Sequence, residues 1–251
     1  MTDGHYRPSM AVRVKDVIRK TLKTLGGCGL AYLFCQKCWR AYAVPRRRKR
    51  LQVHGPAALK RLDGLMKEHC IPYYADFGTL IGFVRDKGFI KHDDDVDISI
   101  VSNAAKPADV LKVFLDAGYG FVHAFDYQGA FLEFTVADVS GITIDVFFAE
   151  KTDVQGVVHK HQPIWNPSVK YPDEKANTLI QYDFLEPTEL IDYNVCGAMT
   201  RIPKNYAEVL ESEYGQWAVP DAHFDTVKDR IHRTLPGFAY RLSQEEALKH
   251  E

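Results

Sequence analysis

Acidic side chains crowd into one stretch, Lys91-His92-Asp93-Asp94-Asp95-Val96-Asp97-Ile98-Ser99-Ile100. Its alternation predicts a strand over 94–101, with Asp93, Asp95 and Asp97 sharing one face and Val96, Ile98 and Ile100 the other. Carboxylates spaced about 7 Å along a strand repel one another, and setting them beside an apolar strand is costly unless a cation neutralises them. Hard oxygen ligands suit Mg²⁺ or Mn²⁺, which keep waters and complete their shell from a substrate phosphate. Asp93, Asp95 and Asp97 are therefore the candidate metal ligands. The competing reading, a solvated acidic turn, fits poorly because the run enters an apolar strand directly.

A lone carboxylate, Asp145, interrupts the apolar run Ile142-Thr143-Ile144-Asp145-Val146-Phe147-Phe148. If this strand lies beside the first, Asp145 joins the row as a further ligand or as the base for an incoming hydroxyl. A structural salt bridge is the alternative use. Upstream, Gly78-Thr79 follows a predicted strand at 71–75 and opens a short helix, so the glycine permits close backbone approach and the helix start offers N–H groups to an anion. Together these residues suggest a divalent-metal phosphate site, with Asp95, Asp97 and Asp145 as the catalytic set.

The elements that must hold this set follow from periodicity. Val17, Ile18, Leu22 and Leu25 recur at helical spacing beneath a basic face, and a second apolar helix is predicted over 28–42. Pro45 and Arg46-Arg47-Arg48-Lys49-Arg50 mark a boundary, giving a basic helical N-terminal extension over 1–53 and a catalytic domain over 54–251. A third helix carries Leu59, Leu62, Leu65 and Met66 on one stripe with Pro56 in its first turn, ending near Cys70. After the acidic strand, Pro107 starts a helix through about Ala117, followed by strands over 120–125, 130–137 and 141–148. Residues 153–192 lack periodicity and read as loops and short strands lining a site. One strand over 195–202, a helix over 205–214 and a frayed end complete an α+β chain built on a mixed sheet flanked by helices.

Composition agrees with an ordinary folded protein of 251 residues: 46% apolar and 26% charged, with 17 Gly and 12 Pro. Collagen-like, disordered and disulfide-scaffold classes are excluded. The net charge of −1 conceals an asymmetry, because residues 1–50 carry 13 Lys and Arg against 2 Asp and Glu. Such a basic end suits an anionic membrane surface, though a solvated helix has the same composition. The odd set of five cysteines, Cys28, Cys35, Cys38, Cys70 and Cys196, points to a reducing compartment. Cys35 and Cys38 form a C-x-x-C without a second knuckle, so helix packing is favoured over zinc. No secretory signal or membrane span is visible, and the expected location is cytoplasmic with peripheral contact on the inner membrane face. Stacking motifs for nucleic acid are absent, so no nucleic-acid partner is expected. His159-x-His161 lacks a third ligand nearby. Trp165, Tyr171, Tyr182 and Trp217 serve either the core or stacking on a sugar or base.

The ordered combination G-T-L-x-G-x-x-R-x-x-G-x-I-x-x-D-D-D-x-D over residues 78–97 resembles the LicD and fukutin-related phosphotransferases of the nucleotidyltransferase superfold. Ile144-Asp145-Val146-Phe147, Ile202-Pro203-Lys204-Asn205-Tyr206 and Tyr214-Gly215-Gln216-Trp217 with Pro220 resemble that family's later motifs. The resemblance implies a nucleotidyltransferase-like fold and transfer of a phosphorylated alcohol, such as phosphocholine or a polyol phosphate, from a CDP-linked donor to a sugar hydroxyl of a glycan or glycolipid. Position by position it places donor phosphates on Gly78 and Thr79, metal on Asp95 and Asp97 with support from Asp93, and the third carboxylate at Asp145. Arg85 becomes a cation for the donor or a brace for the carboxylates. Lys91-His92 departs from the Pro-Trp-like pair that family members often carry, and the basic first fifty residues lie outside the shared pattern. Transfer of a nucleoside monophosphate, or a non-catalytic glycan- or lipid-binding role, are the rival readings.

Overall fold

The computed structural model describes residues 29–101, 104–166, 168–221 and 223–250, with backbone alone for 29–41. The amphipathic helix predicted around Val17 to Leu25 and the side chains of Cys28, Cys35 and Cys38 lie outside the described residues.

Leu51, Leu59, Leu62 and Met66 are fully buried along one stripe of helix α1 (Gly29–Glu68), which runs without interruption through Pro45 and Pro56. The boundary expected at the basic run is thus helical, and no separate helix starts at Pro56. Each proline removes one N–H and normally breaks a helix. Here the buried stripe on either side of Pro56 and the bonds made by Arg46, Arg47 and Arg50 hold the backbone in register. Arg46 Nη1 donates to the Tyr42 carbonyl at 2.8 Å, and Arg50 Nη1 donates to the Gly141 carbonyl at 3.0 Å.

Strand β1 (Tyr73–Ala75) leads through Asp76 into the one-turn helix α2 (Phe77–Ile81) and a π-helical turn over Gly82–Asp86. Gly82 is required there, because a Cβ would lie 2.6 Å from the Gly88 carbonyl oxygen. β2 (Asp95–Val101) follows, then α3 (Pro107–Asp116), β3 (Gly120–Tyr127), β4 (Ala130–Ala137) and β5 (Thr143–Lys151). The second half contains β6 (Val157–Ile164), β7 (Ala176–Leu185), the hairpin β8 (Leu190–Val195) and β9 (Ala198–Pro203), and α4 (Tyr206–Tyr214). Short strands β10 (Arg233–Thr234) and β11 (Ala239–Leu242) and helix α5 (Gln244–Leu248) end the chain. Ser243 and Glu246 close a capping box on α5, so this tail is tied down where fraying was expected.

These elements form an α+β fold on a mixed nine-stranded sheet in the order β1-β2-β5-β4-β3-β11-β7-β10, with β6 pairing β5 and β7. Only β2 and β5 among its pairs run parallel, joined by α3 and the β3-β4 hairpin. One face of this central sheet is core: Val96, Ile98, Ile144, Val146, Phe134 and Val136 pack with Phe114 of α3. Each such fully buried aliphatic side chain contributes about 1.5–3 kcal/mol. The opposite face carries the polar set.

Two departures from the sequence expectation have clear causes. The region read as loops over 153–192 contains the long β6-β7 hairpin, whose strand β7 is buried at eight of its ten positions and so shows no alternation. The single strand expected over 195–202 is the β8-β9 hairpin, turning at Cys196 (φ 52°) and Gly197 (φ 74°). Two successive positive φ values match the right-handed twist of a two-residue hairpin.

Candidate active site

Parallel pairing of β2 with β5 sets Asp97 opposite Asp145 and Asp95 opposite Thr143. Because both strands share one register, Asp95, Asp97 and Asp145 project from the same face. They line a cleft of about 1190 Å³ together with Gly78, Asp93 and Arg85. The two expected acidic strands therefore do meet. Asp93 precedes β2 and is not part of its alternating face; it sits in the turn facing Gly78, where a Cβ would lie 3.0 Å from Asp93 Oδ2. The glycine at 78 thus leaves room for that carboxylate rather than serving the backbone alone.

Thr79 does not line the cleft. It is buried, and its hydroxyl accepts the Asp97 N–H at 2.9 Å, joining α2 to β2 beside the carboxylates. Arg85 Nε donates to Asp86 Oδ1 at 2.8 Å and Nη1 to the Trp217 carbonyl at 3.1 Å, so it joins the π-helical turn to the segment after α4. That segment brings Tyr214, Gln216 and Trp217 to the cleft wall. His161 and Tyr182 also line the cleft, whereas Tyr171 packs on Phe238 at a centroid distance of 5.5 Å.

The carboxylates are electrostatically loaded. Burial first, then the charges of Asp145 and Asp94, holds Asp95 well above the ordinary carboxylate range. Burial followed by Asp95 and Asp145 does the same to Asp97. Asp93 is pushed up to about 6, chiefly by burial. Asp145 is also raised by burial, offset in part by the Thr135 hydroxyl, which donates to its Oδ1 at 2.6 Å. His123 Nε2 lies 2.9 Å from the same hydroxyl, so β3 and β4 fix the orientation of a carboxylate on β5.

Such a donor set fits a hard divalent cation, since only oxygen ligands are offered and each is destabilised as an unneutralised anion. Among the described residues no three Asp, Glu, His or Cys side chains already enclose one point as a finished metal cage. Asp95 leans towards Arg47, whose Nη2 is 3.8 Å away, and Asp145 is held by Thr135. The fit is to a cation bound by few protein ligands, with water and substrate phosphate supplying the rest.

Two arginines of the basic run reach the site, which the sequence reading did not foresee. Arg47 Nε lies 3.0 Å from Asp94 Oδ2, and its Nη2 donates to Thr143 Oγ1 at 2.6 Å. Arg48 lines the cleft and lowers Asp93. The basic run is thus partly turned inward against the acidic cluster. Arg47→Gln should cost about 1–2 kcal/mol of stability through loss of these charge-assisted bonds, read from urea unfolding midpoints. An unchanged midpoint would show that the contacts are solvent-screened and contribute nothing.

The site is thus a mixed α+β sheet whose strands β2 and β5, with the glycine turn at Gly78, place three carboxylates on one cleft. Residues 70–205 match the family described as LicD/FKTN/FKRP, nucleotidyltransferase domain, and the chain belongs to that family. It is similar to the ribitol-5-phosphate transferase FKTN of Mus musculus, 26% identical over 168 residues that cover 64% of this chain and 32% of the relative. The same transferase of Homo sapiens is 28% identical over 163 residues, covering 62% of this chain and 31% of the relative. The chain thus matches about a third of the length of these relatives. No helix among the described residues is long and apolar enough to cross a membrane.

Proposed function

We propose that this protein is a nucleotidyltransferase-like phosphotransferase that moves a phosphorylated alcohol from a CDP-linked donor to a sugar hydroxyl of a glycan or glycolipid. The observation that carries the reading is the in-register pair Asp97 and Asp145, with Asp95 on the same face of the cleft. Family membership and the ribitol-5-phosphate transferase relatives support the choice of a phosphorylated polyol.

Asp95 and Asp97, with Asp93 beside them, would hold Mg²⁺ or Mn²⁺, which when bound neutralises phosphoryl oxygens and favours departure of CMP. Asp145 orients the acceptor hydroxyl and takes its proton, one oxygen being fixed by Thr135. Gly78 admits the donor close to the backbone. Arg85 braces the cleft wall from which Trp217 and Gln216 project. Attack in line by the acceptor oxygen on the phosphorus that carries the alcohol, with the P–O bond to the departing CMP breaking, needs no covalent enzyme intermediate.

Purified protein incubated with CDP-ribitol, CDP-choline and CDP-glycerol and a saccharide acceptor should release CMP and form a phosphodiester, seen by mass spectrometry. Excess EDTA should suppress product by at least about a hundredfold, and added Mg²⁺ should restore it. Release of pyrophosphate from ATP or CTP with a nucleotidylated product would instead establish the rival transfer. Absence of both products, with no Mg²⁺-coupled nucleotide binding, would indicate a binding module.

A further inference from the structure

A second charged group faces the cleft and is used by none of the chemistry above. Arg230 is 7% exposed, and two of its nitrogens, Nε and Nη2, have no hydrogen-bond partner. Its guanidinium sits among five rings: Tyr214 at 4.3 Å, Phe77 at 4.8 Å, Tyr182 at 5.6 Å, Phe184 at 5.8 Å and Phe224 at 5.9 Å. Aromatic faces stabilise a cation but accept no N–H bond in the guanidinium plane, so the fork is fixed while Nε and Nη2 remain unpaired. Phe77 connects this cage to the carboxylate floor, because its ring also lies 5.1 Å from that of Phe147, two residues beyond Asp145 on the same face.

We infer that Arg230 forms an anion subsite of the cleft that binds a phosphoryl group of the substrate, separate from the carboxylate cluster. A planar guanidinium with unpaired N–H groups matches two phosphoryl oxygens, and neutralisation by such a ligand relieves an otherwise poorly compensated buried cation. Glu213 feels the Arg230 charge, yet no salt bridge joins them: its Oε1 is bound to Lys160 at 2.6 Å and its Oε2, like Arg230 Nε and Nη2, has no hydrogen-bond partner among the described residues. Arg230 lies beyond residues 70–205, so the match to the family does not assign it a role. The choice of phosphate as the anion rests on the phosphoryl-transfer reading.

The test is binding without turnover, in EDTA, so that its failure is separable from failure of transfer. Inorganic phosphate, CMP and ribose 5-phosphate are titrated calorimetrically into the full chain, its Arg230→Gln and Arg230→Lys variants, and an exposed control, Lys112→Gln. Wild-type and control protein should bind at least one probe with equal affinity. Arg230→Gln should weaken that binding at least tenfold, and Arg230→Lys, which keeps charge but loses the fork, several-fold. Loss confined to CMP assigns the subsite to the donor nucleotide; loss confined to ribose 5-phosphate assigns it to the phosphorylated alcohol or acceptor. If Arg230→Gln does not fold, Arg230→Lys decides. Unchanged affinities in a folded variant, or no binding by wild type, would overturn the inference and leave Arg230 as a structural counter-charge to Glu213.

Discussion

Replacing Asp97 by Asn should reduce transfer by about 10³-fold or more, equivalent to about 4 kcal/mol of barrier, while making the cation-free protein more stable at neutral pH. Among the described residues the Asp97 carboxylate makes no hydrogen bond or ion pair that supports folding. Its backbone N–H binds Thr79 and its carbonyl accepts the Asp76 N–H at 3.1 Å, and both survive the substitution. What the carboxylate does is carry charge where burial, Asp95 and Asp145 all oppose it. A carboxyl raised in the folded state adds stability below its unfolded value, and that gain is lost as pH rises through the folded value. Thermal unfolding in EDTA should therefore show the wild type losing ground to Asp97→Asn as pH rises above the ordinary carboxylate range. Mg²⁺ should cancel the difference by stabilising only the wild type. A variant that is less stable at every pH, or that retains activity, would contradict this account.

The second large effect lies under the site. Lys160 is 1% exposed and places Nζ 2.6 Å from both Asp76 Oδ2 and Glu213 Oε1. Burial opposes its charge, but Asp76 and then Glu213 outweigh burial and raise it. Asp76 in turn accepts the Phe77 N–H at 2.9 Å and the Ser99 hydroxyl, so the triad fixes the entry to α2, where Phe77 has φ 45°. Lys160→Met leaves two buried carboxylates without their cation and should cost about 3–5 kcal/mol. Glu213, pushed up to about 7 by burial and then by Asp76, sets the pH dependence. Losing Lys160, which lowers Glu213, raises it further, so in the variant the deficit shrinks as pH falls and Glu213 takes a proton, and grows as pH rises. Chemical denaturation at pH 6 and pH 8.5 measures this. Adding Glu213→Gln should recover part of the loss, whereas additive losses would mean the two residues are not coupled.

The catalytic face was readable because its signals are local. Asp95, Val96, Asp97 and Ile98 alternate within one strand, and Asp145 interrupts an apolar run. Their adjacency was conditional on topology, and the parallel register supplied it. Lys160 left a faint trace, since it occupies an inward position between Val158 and Gln162 in β6. That strand was unreadable because its partner β7 is buried on both faces and shows no alternation. Arg47 and Arg230 had no local signal at all. A basic run looks the same whether it meets solvent or an acidic cluster 47 residues away, and an arginine among aromatics is recognisable only once distant segments have packed.

The unbroken course of α1 limits how far the protein can be shortened. At 1.5 Å per residue the 40-residue helix extends about 60 Å, and only its later part carries the described anchors, from Ala43 and Leu51 to Met66. Trimming at residue 54 would amputate Leu51 from the interior and take Arg47 away from Asp94, leaving the acidic rim of the cleft without a tether. A deletion series should keep cooperative melting until the cut passes Ala43, so the arginine-rich turns belong to the folded body rather than to a dispensable handle.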